Sequence, residues 1–245
     1  WVPRQLSEAT ICQVASGVMS VSQEDLQSLR ELPRLGAWKG RYVPNAVESS
    51  RFQTSREQAR TKLGVASCDY VVGTVSRLVP QKSVDVFLAA AKRVDGAKAI
   101  VIGEGELRKE LEEEFGSSES EAVFLGERLD VPELLAGFDV FVLSSGWEGE
   151  PLALLEAMAA GVACVATDTP GSRAILNEGR AGLLVPVGDV NALSDAIERL
   201  HLDEQLAKSV RAEAAEVVAG RTTKIHAGQV MDVYREMLNE LGGRE

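Results

Sequence analysis

Histidine and cysteine are scarce in this sequence: there are two histidines, His201 and His226, and three cysteines, Cys12, Cys68 and Cys164. Both histidines fall in a stretch with helical patterning near the end of the chain, which argues against a histidine general base. The cysteines are odd in number and widely spaced, with no paired framework and no metal-ligand spacing. They read as buried, reduced thiols. There is no Asp-x-Asp pair to bridge a metal to a diphosphate, no G-x-S-x-G elbow and no P-loop. No apolar run approaches the ~20 residues of a membrane helix, and no signal peptide opens the chain. Basic residues are outnumbered, 26 against 37 acidic, for a net charge of −11. That balance argues against a nucleic-acid binder, which needs a basic face. A small phosphorylated ligand stays open, because a local pair of cations suffices for it.

What is present is a regular alternation of short β-rich runs and amphipathic stretches. Hydrophobic residues make up 45% of the chain and charged residues 26%, as in an ordinary α/β domain. Tyr70–Ser76, Ala97–Ile102, Ala122–Leu125, Asp139–Ser144, Val162–Ala166 and Gly182–Pro186 read as strands. Helices are expected over Val84–Val94, Glu106–Phe115, Val131–Phe138, Pro151–Ala160, Gly171–Leu176 and Val190–Leu200. The strands are apolar throughout, as a parallel sheet buried on both faces requires. The fold expected is a doubly wound α/β sheet followed by C-terminal helices. Upstream, Gly17–Ser22 reads as a strand, Ser22 as a helix cap, Leu32–Trp38 as a loop and Arg41–Pro44 as a short extended piece. Ser55 with Gln58 forms a capping box, and Gly64 closes that helix.

Ligands of an open parallel sheet bind beyond the carboxyl ends of its strands, so the loops there are the candidates. After the first core strand come Arg77 and Lys82, two cations suited to a diphosphate. After the next come Gly103 and Gly105, which would let a ligand approach the backbone. Arg108 stands where a dinucleotide fingerprint would need its third glycine, which disfavours a Rossmann dehydrogenase. Gly126–Leu129, with Arg128, forms another turn at this edge. The loop after Asp139–Ser144 carries Trp147, Glu148, Gly149, Glu150 and Pro151. Pro151 is expected at the first helical position, leaving the N–H groups of Leu152 and Ala153 free for an anion. Glu148 beside such a site suits a hydroxyl-rich group, and Glu156 interrupts an otherwise apolar helix.

In these residues the sequence resembles the retaining GT-B glycosyltransferases of family four, the group 1 transferases. The matching stretches, in the family's order, are YVPNAVESSRF (Tyr42–Phe52), GTVSRLVPQKSVDVFLAAA (Gly73–Ala91), VIGEGELRKELE (Val101–Glu112), VFLGERLDVPELLAGFDVFVLSSGWEGEPLALLEAMAAGVACVAT (Val123–Thr167) and GLLVPVGDVNALSDAI (Gly182–Ile197). Glu148 and Glu156 form the family's E-x7-E motif. The resemblance implies a Rossmann-like second domain of a GT-B fold that binds a nucleoside-diphosphate sugar and needs no cofactor or metal. It implies that Arg77 and Lys82 hold the diphosphate and that Glu148 contacts the transferred sugar. Glu156 would take the ribose, the backbone of Gly149, Glu150, Pro151 and Leu152 the phosphates, and Gly103 and the Gly126, Arg128 and Leu129 turn would border the ligand. Ala46, Ser83 and Ala174 depart from the family, which commonly has glycine at the first two positions and glutamate at the third.

The organisation expected is a remnant of an acceptor domain and linker over residues 1–40, the nucleotide-sugar domain over 41–202, and helices over 203–245 that pack back on a first domain. That first domain would precede Trp1 and receive an acceptor glycan, lipid or small molecule. The protein expected is cytoplasmic, peripheral on the inner membrane face in its full-length form, and inactive as this piece alone. The alternatives are a nucleotide-sugar epimerase of similar architecture and a non-catalytic module that senses nucleotide sugars.

Overall fold

The computed structural model describes residues 15, 17–31, 40–116 and 122–242, with side chains as far as residue 239. Cys12, the expected loop over Leu32–Trp38 and most of the expected remnant's first residues lie outside this set. The chain divides into two compact units, one of residues 1–46 with 221–245 and one of residues 47–220. The expected boundaries at 40/41 and 202/203 differ from this division, and the difference has a physical cause. The helix Glu204–Ala219 buries Ala207, Val210, Ala214 and Val218, spaced to form one apolar stripe, and those residues join the cores of the larger unit.

In the smaller unit, β1 (Val18–Ser20) and β2 (Gly40–Tyr42) pair in parallel. Between them in sequence, α1 (Gln23–Arg30) begins at Ser22, whose hydroxyl accepts from the Asp25 amide. The last helix, Thr223–Gly242, belongs to this unit. It is tied to the β2 segment by Arg41–Glu236 at 2.7 Å and by His226 Nδ1 against the Pro44 carbonyl at 2.7 Å.

The larger unit opens with α2 (Arg56–Leu63). Its capping box at Ser55 and Gln58 forms as the sequence indicates, and Gly64 closes it at φ 70°. Then come β3 (Tyr70–Val75), α3 (Val84–Ala91), β4 (Ala97–Ile102), α4 (Arg108–Phe115), β5 (Val123–Phe124) and the single turn α5 (Val131–Leu134). The second half has β6 (Val140–Leu143), α6 (Leu152–Ala159), β7 (Ala163–Thr167), α7 (Pro170–Ile175), β8 (Leu183–Val185), α8 (Val190–Leu202) and α9 (Glu204–Ala219). The six strands form one parallel sheet in the order β5-β4-β3-β6-β7-β8. The order reverses between β3 and β6, which makes that pair the topological switch point.

Each strand feeds two cores by simple alternation. Val72, Val101, Val140, Val142 and Val165 face one layer with Phe87 and Leu88 of α3 and Ile197 of α8. Val71, Ile100, Phe141, Leu143 and Cys164 face the other with Leu154, Leu155 and Met158 of α6. Cys164 is fully buried, and burial pushes its thiol well up from the usual range, so it is inert. Cys68 departs from expectation: it is exposed, in the tight turn at Ala66–Asp69 that leads into β3. Among the described residues, no helix is long and apolar enough to cross a membrane.

Candidate active site

At the switch point the loops after β3 and β6 are bolted together. Gly146 N–H donates to the Gln81 carbonyl at 2.8 Å. The Ser144 hydroxyl lies 3.0 Å from the Lys82 carbonyl and 2.8 Å from that of Ser83. The Gln81 amide donates to the Trp147 carbonyl at 2.9 Å. Lys82 Nζ then meets Glu148 Oε1 at 2.5 Å. Residues 66 positions apart thus form one rim. Ser83 is held at φ 46° in the left-handed region, a conformation that suits the glycine which the resemblance leads one to expect there. Gly171 sets the other wall. A Cβ on it would lie 2.4 Å from the Gly149 carbonyl oxygen and 2.8 Å from that of Glu148. Only glycine lets the start of α7 come this close to the Glu148 loop.

Arg77 leaves the end of β3 exposed and forms no ion pair among the described residues. Pro151 is the N-cap of α6, one residue before the position expected, and offers no side-chain cap. The first hydrogen bond of that helix is Leu155 N–H to the Pro151 carbonyl. The N–H groups of Leu152, Ala153 and Leu154 therefore remain available, as at any uncapped helix start. Glu150, beside them, is buried at 8% exposure. Glu156 sits inside α6, about 7.5 Å further along its axis at 1.5 Å per residue. Burial raises the Glu156 carboxyl above the usual carboxylate range, and Arg51 pulls it partly back.

The structure therefore groups Lys82 and Glu148 directly, and Glu150 to Leu152 and Glu156 along one helix start. Gly103 has a packing role that the sequence does not announce. A Cβ there would lie 1.9 Å from the Ser76 carbonyl oxygen, and one on Gly105 would lie 2.2 Å from that of Leu78. The chain's own β3 loop fills the side on which each Cβ would stand, so these glycines let the two loops pack closely. Gly126 belongs to the same brace, with its carbonyl accepting from Gly103 N–H at 2.8 Å. Arg128 makes a two-point ion pair with Asp130, and Leu129 is 95% exposed. This turn follows β5, two strands from β3, hence about 10 Å from the switch point. Sequence reasoning missed Gln81, Ser144, Gly171 and Arg51. Gly171, directly after Thr169-Pro170, carried a readable signal for a helix start. The others lie in contacts distant in sequence.

A cavity of about 650 Å³ lies at the opposite, amino ends of the strands, lined by residues that include Asp69, Tyr70, Asp139, His201 and Arg211. Its principal acid is already saturated: Asp139 accepts from Arg56 at 2.5 Å, from Arg60 at 2.6 Å and from Val71 N–H at 2.8 Å. Among the described residues no cluster of three or more His, Cys, Asp or Glu could hold a metal ion.

Comparison with known proteins shows the family and the fold. The family model described as "Glycosyl transferases group 1" matches residues 55–217. An Escherichia coli UDP-Gal:alpha-D-GlcNAc-diphosphoundecaprenol alpha-1,3-galactosyltransferase is 28% identical over 80% of this chain and 54% of its own length. A phosphatidyl-myo-inositol mannosyltransferase of Mycolicibacterium smegmatis is 34% identical over 78% of this chain and 50% of its own. Among solved structures, HepE of Anabaena in complex with UDP and glucose superposes with a TM-score of 0.86 at 24% identity, over 95% of this chain and 66% of that one. The chain thus spans about half the length of these curated relatives. With a parallel, doubly wound sheet and the family model matched over residues 55–217, the chain belongs to the group 1 glycosyl transferases.

Proposed function

We propose that this chain is the donor-binding half of a retaining, metal-independent glycosyltransferase. The substrate is a nucleoside-diphosphate sugar, and a hexose-type unit passes to an acceptor glycan, lipid or small molecule in bacterial surface glycan or glycolipid synthesis. The observation that carries this reading is the convergence at the β3/β6 switch point. Arg77 follows the end of β3, and the Lys82–Glu148 pair and the uncapped start of α6 belong to the loops after β3 and β6.

The roles follow from chemistry. Arg77, Lys82 and the free N–H groups of α6 supply charge-assisted donors for a diphosphate. These protein groups neutralise the leaving group, which is the task a divalent ion performs elsewhere. Glu148, just ahead of those N–H groups, accepts from the sugar hydroxyls. Glu156, deeper along the helix, accepts from the ribose. The departing phosphate helps the incoming hydroxyl on the same face of the sugar, so the anomeric configuration is kept. The acceptor binds a second domain, consistent with relatives about twice as long. Two of them are named for lipid-linked substrates, which supports a cytoplasmic protein peripheral on the membrane.

The test is a thermal melt of this chain with UDP-, GDP-, ADP- and dTDP-sugars in EDTA. A ligand at ~100 times its dissociation constant adds ~2.7 kcal/mol, a rise of roughly 5–10 °C for a chain of this size. A melting point unmoved by the whole panel contradicts the reading. The same chain is expected to transfer no sugar, because proximity to an acceptor is a large part of such catalysis.

A further inference from the structure

The Lys82–Glu148 ion pair is the least expected feature of the site. Two opposite charges meet at 2.5 Å with only 16% and 9% of their side chains exposed. The pair is not what holds the rim together. Neutral hydrogen bonds fix the backbone on both sides of it: Gly146 N–H to the Gln81 carbonyl, the Ser144 hydroxyl to the Lys82 and Ser83 carbonyls, and the Gln81 amide to the Trp147 carbonyl. Gly171 packs against the Glu148 carbonyl from the other side. The two charged ends can therefore change partners while their loops stay in place.

We propose that this pair makes the site favour its substrate over its product, a claim that rests on the donor-site reading above. A phosphate that draws Lys82 away leaves Glu148 as a shielded carboxylate without its cation. Such a charge is costly unless other donors replace the lost partner. A nucleotide sugar brings those donors, because its sugar hydroxyls hydrogen-bond the carboxylate. A bare nucleoside diphosphate brings none. Its terminal phosphate also carries extra negative charge, since the sugar ester that capped it is gone, and like charges at this range repel. Glu148 thus works against the product as well as for the substrate, and sugar transfer itself weakens the hold on what remains. A carboxylate that only recognised sugar would leave the affinity for the bare diphosphate unchanged.

The experiment is titration calorimetry in EDTA with UDP and UDP-glucose, and with GDP and GDP-mannose, on the wild-type chain, Glu148→Gln, Lys82→Met and the double variant. Glu148→Gln keeps the side chain's size and removes its charge. It is expected to bind the bare diphosphate about ten-fold tighter and the nucleotide sugar about ten-fold more weakly, the size of one charge-assisted hydrogen bond. Lys82→Met is expected to weaken both ligands. Adding Glu148→Gln to it restores part of the diphosphate affinity, because the double variant buries no lone charge. That second comparison decides the matter should Glu148→Gln alone fold poorly. Diphosphate affinity that is unchanged or lower in Glu148→Gln, with no recovery in the double variant, overturns the proposal. It would mean that Lys82 serves both partners at once. A wild-type chain that binds neither member of either nucleotide pair overturns the donor-site reading and this proposal with it.

Discussion

The two ends of the parallel sheet use similar residues to opposite effect. At the amino ends, Asp139 is surrounded by Arg56, Arg60 and the Val71 amide, and Arg60 also donates to the carbonyls of Ala66 and Ser67 at 2.7 and 2.9 Å. That cluster binds α2 to the starts of β3 and β6 and has little capacity left for a ligand. At the carboxyl ends, Lys82 and Glu148 have one another, Arg77 is exposed, and the first N–H groups of α6 have no cap. Along the carboxyl edge the helix starts differ as well. Those starting after β7 and β8 are capped by Thr169 and Asp189, whereas those starting after β3, β4 and β6 have no side-chain cap. Unmet hydrogen-bonding capacity is gathered beside the switch point. The buried hydroxyls of Ser76 and Ser145, which have no partner, lie at the ends of β3 and β6 as well. Satisfied polar groups hold a fold together, and unsatisfied ones beside a cleft are what a ligand can complete.

The contrast is sharpest in how variants at the two ends should behave. Asp139→Ala is expected to have the largest effect on folding. It leaves Arg60, 4% exposed, as a buried cation without its acid, at a cost of ~3 kcal/mol. That lowers the melting point by roughly 6–12 °C, while nucleotide affinity at the far edge is retained in whatever remains folded. Loss of affinity without loss of stability would place a binding role at the wrong end.

Arg77→Ala and Lys82→Ala are expected to show the reverse pattern. Each weakens the bare diphosphate and the nucleotide sugar together, by about ten- to a hundred-fold for a lost charge-assisted bond. Arg77→Ala leaves the melting point within about 1 °C, as for most exposed positions. A loss confined to the sugar-bearing ligand, seen in parallel titrations, would move these residues to another subsite.

Glu156→Gln is expected to trade function for stability. Burial raises the pKa of Glu156, so the folded protein holds this proton to a higher pH than the unfolded chain does. Between the two pKa values stability falls as pH rises, and above them the ionised carboxylate weighs against the fold. The glutamine variant therefore melts higher than wild type at pH 7–8, with the gain shrinking toward pH 4. It also binds diphosphate and nucleotide sugar more weakly to the same degree. A gain that grows on acidification contradicts the assigned cause.

Ser83→Gly is the smallest change. It relieves a left-handed backbone at φ 46°, worth ~1 kcal/mol, against a similar entropic cost of glycine. The melting point is expected to rise by at most about 2 °C, with unchanged nucleotide affinity. A marked destabilisation would show that the Ser83 side chain, rather than its backbone, matters.

Much of this was legible in the sequence because local chemistry wrote it. Ser55, Gln58 and Gly64 mark both ends of α2, and the boundaries of β4 emerge at Ala97–Ile102 as expected. The apolar runs identify parallel strands buried on both faces, and the E-x7-E motif marks the loop after β6. The parts that were not legible depend on distant contacts. At Gly103 nothing local shows that the Ser76 carbonyl packs against it. Arg60 sits in an ordinary helical pattern, and its acid is 79 residues away. The pairing of Lys82 with Glu148 requires the strand order, which no single segment encodes. The stripe Ala207, Val210, Ala214, Val218 lies in a charged helical stretch, and its partner is fixed only once the sheet has formed.

The most direct test of the whole account asks where the nucleotide binds. Hydrogen–deuterium exchange of the wild-type chain, with and without saturating UDP or GDP and their sugars in EDTA, separates the two ends of the sheet. The account predicts slowed exchange over residues 76–83 and 144–156, with the amino-end segments 66–70, 136–139 and 200–211 unaffected. Protection centred on those amino-end segments, and none after β3 and β6, would contradict it.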